Sequence, residues 1–307
     1  MARVNVNRDI LLWAIERSEI SEETIEARFP KFAEWLEGAV QPTLKQLETF
    51  ARATHAPFGY FFLPAPPEER LPIPHYRTVA EQAPRKPSPE LLDTVHTMQV
   101  RQEYMRDFLQ EDGHAPLPFV RSANLGADPK VIAQNIRATL RLSREWAAAR
   151  ASWQDALRAF ENAVGLVGIL VMANGVVGNN TRRPLKVEEF RGFALVDEYA
   201  PLVFINAKDG KAAQMFTLAH EVAHIWFGHS AAFDLRRLEP AEDEIEQACN
   251  RVAAEVLVPE DELRALWPTV RGAAEPHQAV ARHFKVSALV AARRAKDLGL
   301  ITRDEFF

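Results

Sequence analysis

The chain has 307 residues and 47% hydrophobic content, enough for two or more domains with real cores. Its 37 Lys and Arg against 42 Asp and Glu leave a net charge of −5, which argues against a protein that coats nucleic acid but leaves room for a local basic patch. A single cysteine excludes a disulfide framework and suits a reducing cytoplasm. No leader-like segment is read at the start, and the longest apolar stretch, 165–173, cannot span a bilayer, so no membrane partner is expected.

Residues 1–63 read as a compact helical unit, with helices expected at 8–17, 21–29, 31–36 and 43–53. Ser21 serves as an N-cap ahead of Glu22 and Glu23, Gly38 to Pro42 is a breaker, and Thr43 caps the last helix. Short helices with tight turns suggest a helix-turn-helix bundle. Its charge is unusual for a DNA reader. Seven Lys/Arg against nine Asp/Glu give a net of −2, and the expected recognition helix offers Lys31 against Glu34 and Glu37. Phosphate binding needs an electropositive face, so a protein-contact or structural role is preferred to DNA binding.

Residues 64–90 form an expected connector. It is extended, holds eight of the twenty prolines (64, 66, 67, 72, 74, 84, 87 and 89), and docks through Leu71, Ile73 and Tyr76. A helical segment, 91–164, follows, with helices over 89–112 and 129–164 and an apolar stripe Leu92, Val95, Val100, Tyr104, Phe108. His75, His96 and His114 have no ligand spacing and read as surface or packing residues.

Residues 165–271 are the expected core. Segments 166–172, 191–198 and 201–206 are β-type, the last two joined as a hairpin at Tyr199-Ala200-Pro201. The next helix carries His220-Glu221-Val222-Ala223-His224. Four residues advance a helix by roughly 400°, so the imidazoles lie about 40° apart, one turn apart on one face. Both can then reach one tetrahedral Zn²⁺, and Glu221 can act as general base on a water there. HExxH arises by chance in roughly a few per cent of chains of this composition, so context must decide. Apolar neighbours nearly all round make this a buried helix, in which two histidines and a glutamate need partners.

A third histidine at position 230 would complete one zincin pattern, but Ser230 stands there, and Phe227 stands where that pattern has glycine. His229 is out of step and reads as a helix-end residue. A carboxylate on a second helix is the other pattern. The segment 241–257 supplies it, with an apolar stripe of Ile245, Ala248, Cys249, Val252 and Val256. Glu246 is the preferred third ligand, because Asn250 one turn on can orient a ligating imidazole. Glu255, about 180° round the helix from Glu246, is the alternative. The cluster Glu239, Glu242, Asp243 and Glu244 reads as a solvated helix start, and Cys249 as a small core residue.

Residues 272–307 read as two more helices, the second capped by Ser287. Over 271–307 seven Lys/Arg against four Asp/Glu give +3. The segment is either a second helix-turn-helix-like unit or, as preferred, a helical lid packed through Val280, Phe284, Leu289 and Leu298.

FRGFALVDEYAPLVFIN (190–206), FTLAHEVAHIWFG (216–228) and EQACNRVAAEVLVP (246–259) together resemble the ImmA/IrrE metallo-endopeptidase family. WAIERSEIS, WLEGAVQPTLKQLETFARAT and APFGYFFLPAPP are similar to the degenerate XRE-type domain often fused to that peptidase, and KVSALVAARRAKDLGLIT to its C-terminal helices. Phe29-Pro30 departs from the usual turn of that domain. The resemblance implies zinc on His220, His224 and Glu246, with Glu221 activating water. It also implies cleavage of an XRE-type repressor in stress or mobile-element regulation.

The expected fold is α+β and mainly helical, with a small zincin-like core flanked by helical domains. The expected activity is that of a cytoplasmic zinc endopeptidase. Tyr199, Asn206 and His229 are the candidates for steadying the oxyanion. The competing expectation is a DNA- or protein-binding regulator or antitoxin whose metal site is structural or vestigial.

Overall fold

The structure, a computed structural model, describes residues 2–18, 20–69, 87–229, 231–233 and 244–306. They fall into two compact units, one holding the described residues up to 69 with 87–93, the other those from 94 on. Leu71, Ile73, His75, Tyr76, Glu239, Glu242 and Asp243 lie outside the described residues.

The first unit is built from α1 (Arg8–Ser18), α2 (Glu22–Arg28), α3 (Phe32–Leu36), α4 (Leu44–Ala53) and a 3-10 turn at Phe58–Phe62. Ser21 caps α2 by accepting the Thr24 N–H. Thr43 accepts the Gln46 N–H while Gln46 accepts the Thr43 N–H, a reciprocal capping box. Phe29-Pro30 has a local reason. Proline disfavours helical backbone at the residue before it, so α2 stops and Phe29 turns into the core. There its ring meets Phe50, which also packs on Phe32 and Phe61.

α5 (Pro89–Glu111) starts in the first unit and runs on into the second. The stripe expected along it splits. Leu92 and Val95 are buried, whereas Val100, Tyr104 and Phe108 are 65%, 74% and 53% exposed. Spacing shows that residues share a face, not that something covers it.

The rest of the second unit runs α6 (Pro129–Thr139), α7 (Trp153–Leu166), β1 (Leu170–Asn174), β2 (Val176–Val177), β3 (Asn180–Pro184), β4 (Gly192–Leu195), β5 (Leu202–Asn206), α8 (Lys211–Phe227), β6 (Ala231–Phe233), α9 (Glu244–Leu257), α10 (Glu260–Val270), α11 (Pro276–Phe284), α12 (Ala288–Asp297) and α13 (Arg303–Phe306). The four-stranded sheet has the order β1-β5-β4-β6, with β1 parallel to β5 and the other pairs antiparallel; β2 and β3 pair separately. The fold is α+β, as expected.

Several elements differ from expectation. The helix expected over 129–164 is two helices, because Arg141 takes a left-handed φ of 54° and Ser152 caps a fresh start at α7. The first strand begins at Leu170, since α7 runs through Leu166 and Gly168 turns the chain at φ 95°. α10 and the β2–β3 hairpin were not anticipated from the sequence.

At the C-terminal end Ser287 caps α12, and Val280 and Phe284 are buried as expected, but Leu289 is 51% exposed. A buried lock ties α12 to α9. Arg294 donates through Nε to the Val258 carbonyl and through its terminal nitrogen to the Glu255 carboxylate, which also accepts the Glu260 N–H. Burial lowers the Arg294 pKa to about 10, so the guanidinium stays charged at neutral pH. Breaking a buried ion pair from one side strands the other charge. Arg294→Met is therefore expected to cost about 3–5 kcal/mol in denaturant unfolding, and Arg294→Met with Glu255→Leu to recover most of it. Equal losses in the single and double variants would contradict this account.

Candidate metal centre

α8 is the spine of the centre. Every residue from Gln214 to Phe227 is buried. Its C-terminal carbonyls are satisfied by a loop and a cap: Arg121 and Ala123 donate N–H groups to Ile225 and Trp226, and Gly228 closes on His224 and Ile225. Gly228 adopts φ 79°, and a Cβ there would stand 2.3 Å from Arg121 Cγ, so glycine is required by backbone and by space. Trp226 stacks on Phe119 at 4.5 Å and donates to Asn135, fixing the helix about its own axis.

On this spine His220 and His224 stand one turn apart, with Nε2 atoms 3.0 Å from each other. α9 packs alongside and brings Glu246, whose carboxylate oxygens lie 3.1 Å from His220 Nε2 and 3.2 Å from His224 Nε2. Three donor atoms thus converge on one point. Ligands about 2.0–2.1 Å from a tetrahedral ion would stand about 3.3 Å apart, within a few tenths of an ångström of these separations. Asn250, also on α9, places Oδ1 3.1 Å from His220 Nδ1. An amide oxygen only accepts, so His220 carries its proton on Nδ1 and turns the Nε2 lone pair to the shared point. Among the described residues no other group of His, Cys, Asp and Glu side chains has metal-holding geometry.

The protonation states match this donor set. Burial alone would raise the Glu246 carboxyl, but the facing imidazoles of His220 and His224 hold it well below the usual carboxylate range. Burial lowers His220, outweighing the pull of Glu246, so the imidazole is neutral near pH 7. A carboxylate and a neutral imidazole are the ligating forms of both.

Glu221 is the opposite case. It is fully buried, and neither oxygen has a hydrogen-bond partner among the described residues. Burial, then the charge of Glu246, pushes its pKa well above the ordinary value. Thr217 Oγ1 and His224 Nδ1 also lack partners among the described residues, so four such polar atoms lie between positions 217 and 224. Such a concentration in a close-packed core marks a place where a ligand or ordered solvent is expected.

Sequence reasoning passed over Gly192 and Thr217. A Cβ at Gly192 on β4 would stand 2.6 Å from Thr217 Cγ2, 2.8 Å from the Phe204 carbonyl oxygen and 3.5 Å from Glu221 Cγ. This glycine lets the Glu221 face of α8 lie directly on the sheet. The available signal was a glycine inside a strand pattern, which often marks close approach.

The other expectations fall elsewhere. Glu255 points away from the centre into the lock with Arg294. His229 is exposed, and its N–H bonds to the His224 carbonyl. Asn206 is buried, but its amide is spent on the Phe190 carbonyl and the Lys208 N–H. Tyr199 is half-buried, in a turn where the Asp197 carboxylate accepts its N–H. Glu244 is exposed in the first turn of α9, as expected of a solvated helix start. Cys249 is buried.

Residues 167–296 match the family model described as the IrrE N-terminal-like domain, Peptidase_M78. The match runs from the end of α7 into α12 and contains all the positions of the centre. It supports the ImmA/IrrE family and a metallopeptidase kind of activity. No curated protein matches the chain. None of the described helices is long and apolar enough to cross a membrane.

Two outcomes follow from the centre's electrostatics. Glu221 has a raised folded pKa, so relative to the unfolded chain it weakens stability increasingly as pH rises above the ordinary carboxyl range. With metal chelated, Glu221→Gln should raise the melting temperature more at pH 8 than at pH 5, and a larger gain at pH 5 would refute the sign. Asn250→Ala should weaken metal affinity by about 10–100-fold in a competition titration while the fold is kept.

Proposed function

We propose that the chain is a metal-dependent endopeptidase in which His220, His224 and Glu246 hold a zinc ion and Glu221 is the general base. The observation that carries this reading is the unpartnered, buried Glu221 beside three convergent donors. A centre that only stabilised the fold would fill its fourth position with protein and would need no base. Two imidazoles and one carboxylate suit zinc among the available divalent ions. When bound, the ion would supply Lewis acidity, polarising the scissile carbonyl and bringing a water's pKa toward neutrality.

The chain's own groups would do the rest. The Glu221 carboxylate has no competing hydrogen bond among the described residues, so it can accept a water proton and return it to the leaving amine. Its raised pKa makes it a stronger proton acceptor than an ordinary carboxylate. Glu246 stays ionised, and Asn250 keeps His220 in one tautomer throughout.

An XRE-type repressor as substrate and a regulatory role in stress or mobile-element control rest on the resemblance to the ImmA/IrrE family. The acidic first unit supports a protein contact rather than DNA binding. Lys31 and Glu37 are both exposed at the ends of α3, with Glu34 between them, which is no electropositive face. The test is a cleavage assay with purified protein and candidate repressor. Glu221→Gln should retain stoichiometric zinc and lose at least about 10²-fold in cleavage rate, and chelation should abolish wild-type cleavage until zinc returns. Full cleavage by Glu221→Gln would defeat the reading.

A further inference from the structure

The sheet has a second feature that the metal centre does not use, the outer edge of β1. Leu170 donates its N–H to the Pro201 carbonyl, and the Asn174 carbonyl accepts from Ala207. With the register Leu170↔Leu202 through Asn174↔Asn206, the alternation of a parallel ladder turns the backbone groups of Leu170, Met172 and Asn174 toward β5. Those of Val171 and Ala173 therefore point away from the sheet. Among the described residues no strand pairs with that side.

The same two residues form one wall of a groove of about 630 Å³, whose other wall is the end of α7: Glu161, Asn162, Gly165 and Leu166. That volume lies within the range of sites that hold ligand side chains. Leu166 is 88% exposed. Glu161 is half-buried and makes no hydrogen bond or ion pair with any described residue. Arg158 and Lys211 act on it only through space, and Lys211 is held on Gln214. Burial raises its pKa, as expected of a carboxylate whose lost hydration nothing replaces. An open backbone edge, an apolar ledge and an unsatisfied carboxylate therefore meet in one groove. The first accepts any extended chain, whereas the carboxylate discriminates in favour of a cation.

We propose that the outer edge of β1 docks an extended segment of a partner protein, which pairs with Val171 and Ala173 and sets a lysine or arginine side chain on Glu161. The segment would add as a fifth strand at the end of the sheet opposite β6. This binding does not depend on the metal centre's chemistry, so it can fail or hold apart from the peptidase reading.

The test uses the full chain and fluorescein-labelled acetyl-Thr-Val-Lys-Val-Thr-amide, read by anisotropy, with the peptide recovered and shown intact by mass spectrometry. Saturable binding is expected, at least about fivefold tighter than for the same peptide with Glu in place of Lys. Glu161→Gln should erase that preference. A peptide N-methylated on alternate residues should bind at least about tenfold more weakly, since it cannot donate to the edge. Ala173→Pro should do the same, because the N–H it removes is not part of the pairing with β5. No saturable binding by the wild-type protein, or a lysine preference that survives Glu161→Gln, overturns the proposal. So does equal binding of the N-methylated peptide, and that measurement needs no altered protein.

Discussion

The complete burial of α8 is the constraint on which the second unit depends. A helix enclosed on all sides must leave its polar groups either compensated or costly, and this one carries two histidines and a glutamate within a single turn and a half. Glu246 compensates the histidines from the neighbouring helix, and Asn250 from the same helix fixes one of them. The packing of α9 on α8 is therefore a chemical pairing as much as an apolar one. Nothing among the described residues compensates Glu221.

That contrast separates two carboxylates of the same centre. Glu246 is held ionised by its imidazole neighbours, whereas Glu221 is buried beside the Glu246 charge with no hydrogen-bond partner among the described residues, which favours its proton. Pairs of titratable groups pushed apart by their surroundings are the usual mark of divided labour between binding and proton transfer. The sheet contributes by what it lacks. Gly192 has no side chain at the point where Glu221 leans on β4, so the acid is buried against backbone rather than hydrated at a surface.

Much of this was legible in the residues. His220 and His224 at helical spacing, and Glu246 with Asn250 on a later helix, required only the geometry of a turn and the chemistry of a ligand. The β4–β5 hairpin followed from two short apolar runs around a turn. What stayed hidden depends on contacts between distant segments. No local pattern shows that Arg294 would meet Glu255, or that residues near 121 would satisfy the end of α8. The exposed Val100, Tyr104 and Phe108 are the complementary failure, where an apolar period did not imply a covering neighbour. Gly192 was visible as a letter, but its meaning lay in Thr217 and Glu221 across the packing interface.

The lock between Arg294 and Glu255 also bears on the order in which the chain is made. Glu246 and Asn250 leave the ribosome well before Arg294 does. Seating α9 early would bury the Glu255 carboxylate with no guanidinium to meet it, a state that costs several kcal/mol. The helix that completes the donor set thus gains its full hold only once α12 has been made and packed. A chain made only as far as α11 carries the HEVAH helix but lacks the anchor that steadies α9. Full assembly of the three donors is in this way tied to α12, an element that supplies none of them.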